Sequence, residues 1–154
     1  MRAFRVLKPD DARELAMLHA RAFDIPWSPA ALRSELAKPS VFGLGLIAPD
    51  APDELISFVL FQRALDEAEM LTLATDPDYQ KRGHAKALLK AAFESLKERG
   101  VARSLLDVAA NNPNALALYQ QAGFSEDGRR KDYYKQTGQG RTDAILMSFN
   151  LTGL

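Results

Sequence analysis

The chain has no cysteine, which excludes disulfides, thiolate catalysis and cysteine-based metal sites and fits a reducing cytoplasm. Its two histidines, His19 and His84, stand too far apart for a zinc cluster, so no metal is expected. Charge of neither sign is in excess, with 20 Lys and Arg against 20 Asp and Glu, and aromatics make up only 8%. No general polyanion-binding surface follows, and direct nucleic-acid binding is not expected. No apolar run reaches bilayer length, and the first residues, with Arg2, Arg5 and Lys8, lack the apolar core of a signal peptide. A cytoplasmic protein without membrane contact is the expectation. Repeats and low-complexity stretches are also lacking, and 154 residues suit one domain spanning 1–154. The number of copies in the assembly is left open.

What is present is an ordered run of short elements. Ala3 to Leu7 reads as a strand, and Pro9-Asp10-Asp11 opens a helix with Asp11 and Glu14 at capping-box spacing. Ser28-Pro29 opens a second helix through Leu36. Val41 to Ala48 and Leu55 to Ala64 form a hairpin across the turn Pro49-Asp50-Ala51-Pro52-Asp53. A strand over Ala68 to Thr75 follows. Ala85 to Arg99 is a helix by its apolar spacing, stopped by Gly100. Then come a strand over Ser104 to Val108, a helix from Asn112 to Ala122 ended by Gly123, and two strands, Phe124 to Tyr133 and Asp143 to Asn150, around a polar loop from Thr137 to Thr142. The order predicts an α/β fold: a central mixed sheet with helices on both faces.

Between a strand and a helix lies Gln80-Lys81-Arg82-Gly83-His84-Ala85. Such a loop collects free amide N–H groups, the positive end of a helix dipole and two cations, a setting for an anion such as phosphate. No Gly-Lys-Ser/Thr follows, nor is this the three-glycine dinucleotide fingerprint. A tight turn with solvated charges is the alternative.

The loop resembles the Gln/Arg-x-x-Gly-x-Gly/Ala signature of the GNAT superfamily of acetyl-coenzyme A-dependent N-acetyltransferases, met here by Gln80, Gly83 and Ala85. Ala74-Thr75-Asp76-Pro77-Asp78-Tyr79 ahead of it, and Asn114 to Phe124 after it, resemble the family's flanking segments in the same order. Within that superfamily the chain is most similar to RimI-type enzymes, which acetylate the N-terminal alanine of a ribosomal protein. That similarity includes Phe23-Asp24-Ile25-Pro26-Trp27-Ser28, Leu65 to Ala68, Arg129 to Tyr134 and Gly140 to Ala144. The resemblance implies a mostly antiparallel, splayed sheet, acetyl-coenzyme A as acetyl donor, and the N-terminus of an acceptor protein, a ribosomal one, as partner.

It also implies roles. Lys81, Arg82, Gly83, His84 and Ala85 would hold the pyrophosphate, with Gln80 in the same motif, and Leu73 and Thr75 would meet the pantetheine arm through their backbone. His84 is alternatively a solvated position. Asn112 either touches the cofactor or caps its helix. Tyr119 aligns with the family's general acid and would also contact the cofactor; alternatively it packs on its helix face with its hydroxyl satisfied. Asp107 stands where these enzymes carry a glutamate base, one methylene shorter; it acts through water, or it orders the strand end. Trp27, Glu67, Glu69, Tyr133 and Tyr134 are candidates for the acceptor side, Glu67 and Glu69 also as substitute bases or solvated strand residues. Lack of cysteine implies direct transfer in a ternary complex. Two other readings remain: a GNAT enzyme for a small amine or a lysine, and a non-catalytic coenzyme A-binding or scaffold protein.

Overall fold

Along Glu67–Thr75 buried residues alternate with mostly half-buried ones, Met70 and Leu73 packing into one core and Leu71 and Ala74 into the other, which marks the middle of a sheet with cores on both sides. The computed structural model describes residues 2–136 and 140–154. The strands are β1 (Ala3–Val6), β2 (Val41–Ala48), β3 (Ala51–Ala64), β4 (Glu67–Thr75), β5 (Arg103–Ala109), β6 (Ser125–Gln136) and β7 (Gly140–Asn150). The helices are α1 (Ala12–Ala22), α2 (Pro29–Leu36), α3 (His84–Glu98) and α4 (Pro113–Ala122). One seven-stranded sheet runs in the order β1-β2-β3-β4-β5-β7-β6, antiparallel throughout except for the parallel pair β4–β5.

Helices cover both faces, as expected. Leu15, Leu18, Leu32 and Leu36 of α1 and α2 pack on Phe58, Leu60 and Ala74. On the other face Leu88, Leu89, Phe93 and Leu96 of α3 join Val59, Phe61, Met70, Leu106, Val108 and Phe124. Each such side chain contributes about 1.5–3 kcal/mol by leaving water. Gly123 ends α4 in the left-handed region at φ 119°, where the chain passes directly over the ring of Phe149.

Three expectations need correction. The hairpin turn is only Pro49-Asp50, because Ala48 pairs with Ala51 and β3 begins there; Pro52, Asp53 and Glu54 are extended but have no partner in β2. The box between Asp11 and Glu14 does not form. Asp11 instead accepts from the Lys8 N–H at 2.8 Å, capping a 3-10 turn over Pro9–Asp11, while Glu14 accepts from the Leu55 N–H at 3.0 Å. The loop over Thr137 to Thr142 is shorter than expected, since β7 starts at Gly140; its first part lies outside the described residues.

Candidate active site

The parallel pair β4–β5 is laddered only where Glu67, Ala68 and Glu69 face Arg103, Ser104 and Leu105. Beyond Glu69 the strands share no register, so a gap opens between Met70–Thr75 and Leu106–Ala109. Asp76 sends its N–H to Ile56 of β3 at 2.8 Å, and backbone direction alternates along a strand, so the amides of Thr75 and Leu73 turn toward the gap. This is the splayed sheet that the resemblance implied. Leu73 also packs on the α3 side of the core.

At the open end of β4 the loop is braced from within and without. Gln80 Nε2 donates back to the Thr75 carbonyl at 3.2 Å, so its side chain orders the loop rather than facing a ligand. Asp76 accepts from the Asp78 N–H at 2.9 Å and from Arg21 of α1 at 2.5 Å. Lys81 and Gly83 take left-handed φ of 62° and 78°, easy for glycine and costly for lysine. The first helical bond of α3 runs from Ala87 N–H to Gly83 O, so the N–H groups of His84, Ala85 and Lys86 have no backbone acceptor among the described residues. Free amides, Lys81, Arg82 and the α3 dipole form a donor set for a pyrophosphate.

Arg2, which the sequence reading did not single out, reaches this loop from just ahead of β1, donating to the Arg82 carbonyl at 3.2 Å and to His84 Nδ1 at 3.3 Å. Burial, then the Arg2 and Arg82 guanidiniums, hold the His84 imidazole below its ordinary range. A groove of about 980 Å³ runs from Arg2 and Gly83 along Lys86, Ala87 and Lys90 past Phe149 to Lys97, Glu98 and Leu154 at the far end of α3.

The other candidates gather at the mouth of the gap. Asp107 lies two residues past the last paired position of β5 and alternates with Leu106 and Val108, which are buried beneath α3, so its carboxylate sits on the α1/α2 face. The Tyr134 hydroxyl donates to Asp107 Oδ1. Tyr119 comes from α4 on the other face, its ring 6.1 Å from Phe124. Burial, then the Asp107 carboxylate, push the Tyr119 phenol up to about 12, and burial with the same carboxylate also raises Tyr134. Both phenols are therefore protonated donors at neutral pH. Tyr133 stands edge-on to Tyr134 at 5.3 Å, with Arg130 over its face at 4.0 Å.

The remaining predicted residues sit elsewhere. Glu67 pairs with Arg103 at 3.1 Å at the closed end of the seam, where Glu69 is also found, exposed. Asn112 Oδ1 accepts from the Ala115 N–H at 3.2 Å, so its side chain caps α4. Trp27 packs on the α1/α2 side and makes no hydrogen bond or ring contact with Asp107, Tyr119 or Tyr134 among the described residues.

The sequence model of the acetyltransferase (GNAT) family matches residues 12–124. The chain belongs to this family. The [ribosomal protein bS18]-alanine N-acetyltransferase of Salmonella typhimurium is 34% identical over 152 residues, 99% of each chain. The Escherichia coli enzyme of that name is 42% identical over 99 residues, 64% of this chain and 66% of the other. The crystal structure of the ribosomal-protein-S18-alanine N-acetyltransferase from Escherichia coli superposes with a TM-score of 0.89 at 34% identity, covering 98% of this chain and 94% of that one. Arabidopsis thaliana NAA60 in complex with acetyl-CoA shares the fold, with a TM-score of 0.85 at 24% identity over 97% and 98% of the two chains. In this GNAT acetyltransferase the matched region spans the seam, the loop and Tyr119. Among the described residues no helix is long and apolar enough to cross a membrane.

Proposed function

We propose that this GNAT enzyme, one domain over residues 1–154, acetylates the N-terminal alanine α-amine of a ribosomal protein in the cytoplasm. The observation that carries the acceptor is the 34% identity to the Salmonella typhimurium enzyme over 99% of both chains, including the segments outside the donor loop. Acetyl-coenzyme A fits the donor set, with its pyrophosphate on the N–H groups of residues 83–86 and its arm along the open edge of Leu73 and Thr75. When bound, it supplies the thioester whose acyl carbon the amine attacks and whose thiolate leaves.

The protein's part is proton handling and orientation. Asp107 takes the amine proton through a water, its carboxylate oriented by the Tyr134 hydroxyl. Demand on this base is mild, because an α-amine near pKa 7.7–8.0 is already neutral to about a tenth at pH 7. Tyr119, protonated at neutral pH, gives its proton to the leaving sulfur. With Asp107 on one sheet face and Tyr119 on the other, the base serves the incoming amine and the acid serves the departing sulfur from opposite sides of the gap, an arrangement that suits direct transfer in a ternary complex. Trp27, Tyr133 and Tyr134 line the path of the acceptor peptide.

Mass spectrometry after incubation with acetyl-coenzyme A and peptides beginning with Ala, Ser or Met, or carrying an internal Lys, tests this reading. Acetyl transfer to the alanine α-amine is the expected result. Modification of lysine or a small amine alone overturns the acceptor, and cofactor binding without thiol release on any amine overturns catalysis.

A further inference from the structure

His19 is 1% exposed, lies on the last turn of α1 and has no part in the chemistry above. Its Nδ1 accepts the backbone N–H of Trp27 at 3.2 Å, which leaves the proton on Nε2 to be donated to Thr72 Oγ1 at 2.9 Å. The ring stacks on Phe23 with centroids 4.2 Å apart and lies 5.9 Å from the Trp27 ring. One side chain therefore joins three things: the end of α1, the irregular stretch 23–28, and the part of β4 around Thr72, which pairs with Leu60 of β3 but is left open on the β5 side.

The stretch between α1 and α2 has little else to hold it. Phe23 donates its N–H to the His19 carbonyl at 2.9 Å, and the Trp27 N–H to the His19 ring is the only hydrogen bond that residues 24–27 make among the described residues. Ile25, 71% exposed, shows that the stretch is not fixed by burial along its whole length. We propose that His19 is a positioning residue for acceptor recognition: it fixes the Phe23–Ser28 stretch, and Trp27 with it, against β4. The proposal rests on the reading that Trp27 lines the acceptor path. A histidine suits the task because its two ring nitrogens, one accepting and one donating, meet partners on different elements without bringing a charge into the core.

The test compares His19→Ala, His19→Asn and Trp27→Ala in the full chain, using the amine acceptor identified by the peptide panel. His19→Ala should raise the acceptor KM about tenfold while the acetyl-coenzyme A KM stays within about twofold. Asn places an oxygen near the Nδ1 position, so His19→Asn should recover most of the acceptor KM. Trp27 is the only tryptophan, and its fluorescence reports the stretch directly: emission should shift to longer wavelength in His19→Ala and return in His19→Asn. An unchanged acceptor KM in both His19 variants overturns the proposal, as does an equal rise in both KM values. If Trp27→Ala raises the acceptor KM and neither His19 variant does, only the role of His19 falls. If Trp27→Ala also leaves it unchanged, the acceptor reading of Trp27 falls with it.

Discussion

The hydroxyl of Tyr134 donates to the carboxylate of Asp107, tying β5 to the edge strand β6 through two residues 27 positions apart in the chain. Aspartate is one methylene shorter than the glutamate implied at this position, and the phenol reaches across from β6 to orient it. Tyr134→Phe should lower kcat about tenfold, and Asp107→Asn about a hundredfold. Because the phenol acts through the carboxylate, the double variant should be no slower than Asp107→Asn. Steady-state kinetics of the four proteins check this, and additive losses would separate the two residues.

If Tyr119 is the acid, as proposed, Tyr119→Phe should lower kcat by at least about a hundredfold with the acetyl-coenzyme A KM within about threefold, since that role acts in bond breaking rather than in holding the donor. Its phenol is pushed up to about 12, so the acid form persists as pH rises. Between pH 7 and 10 the unaltered enzyme should show no loss of kcat from this group. Unchanged turnover in Tyr119→Phe would remove it as the acid.

Burial lowers the His19 pKa from 6.5 to about 4. The unfolded chain therefore takes up a proton at higher pH than the native one, and stability falls as pH drops. The contribution is complete above about pH 6.5 and is lost on passing down to about pH 4, to the extent of about 3 kcal/mol. Urea midpoints at pH 7 and 4.5, compared between the unaltered protein and His19→Gln, should show the acid loss shrink in the variant.

Gly83→Ala should raise the acetyl-coenzyme A KM several-fold with little change in thermal midpoint. A Cβ there meets only Arg2 Nη2 at 3.6 Å, so the cost lies in the φ of 78°, about 1 kcal/mol, and falls on the loop. A KM equal to that of the unaltered enzyme would show that the loop conformation does not set donor affinity.

Gly123→Ala should destabilise the whole fold by about 2–4 kcal/mol, because its Cβ would lie 2.7 Å from two Phe149 ring atoms in addition to the φ of 119°. Urea unfolding measures this directly. Gly123→Ala with Phe149→Leu should recover part of the loss.

Most elements were legible from local signals. Ser28-Pro29 and Asn112-Pro113 cap and start helices, Gly123 ends one, and the apolar spacing from Ala85 to Leu96 defines α3. The loop and Tyr119 were legible because motif spacing fixes them to one turn and one helix. Long-range partners were not. Arg2 meets the loop only because β1 pairs with β2 at the same end of the sheet as Thr75, a register no local pattern reveals. Arg21 on Asp76 and Tyr134 on Asp107 are of the same kind. His19 did leave a trace, since it follows Ala12, Leu15 and Ala16 on the buried stripe of α1, where a polar ring must find partners. Glu67 and Glu69 were left open between the acceptor side and a solvated strand, because no local pattern tells which end of a splayed seam a residue occupies.

That seam gives the protein a sheet edge at its centre. Edges normally lie at the periphery, where foreign strands can add to them and where charge or cover blunts them. Here the open edge of Met70–Thr75 is enclosed between two cores, and only three register pairs bind the four-stranded half to the three-stranded half. The weakest ladder of the free enzyme thus runs through its middle. A donor arm filling it would act as a temporary strand, and the two halves should then melt as one cooperative unit.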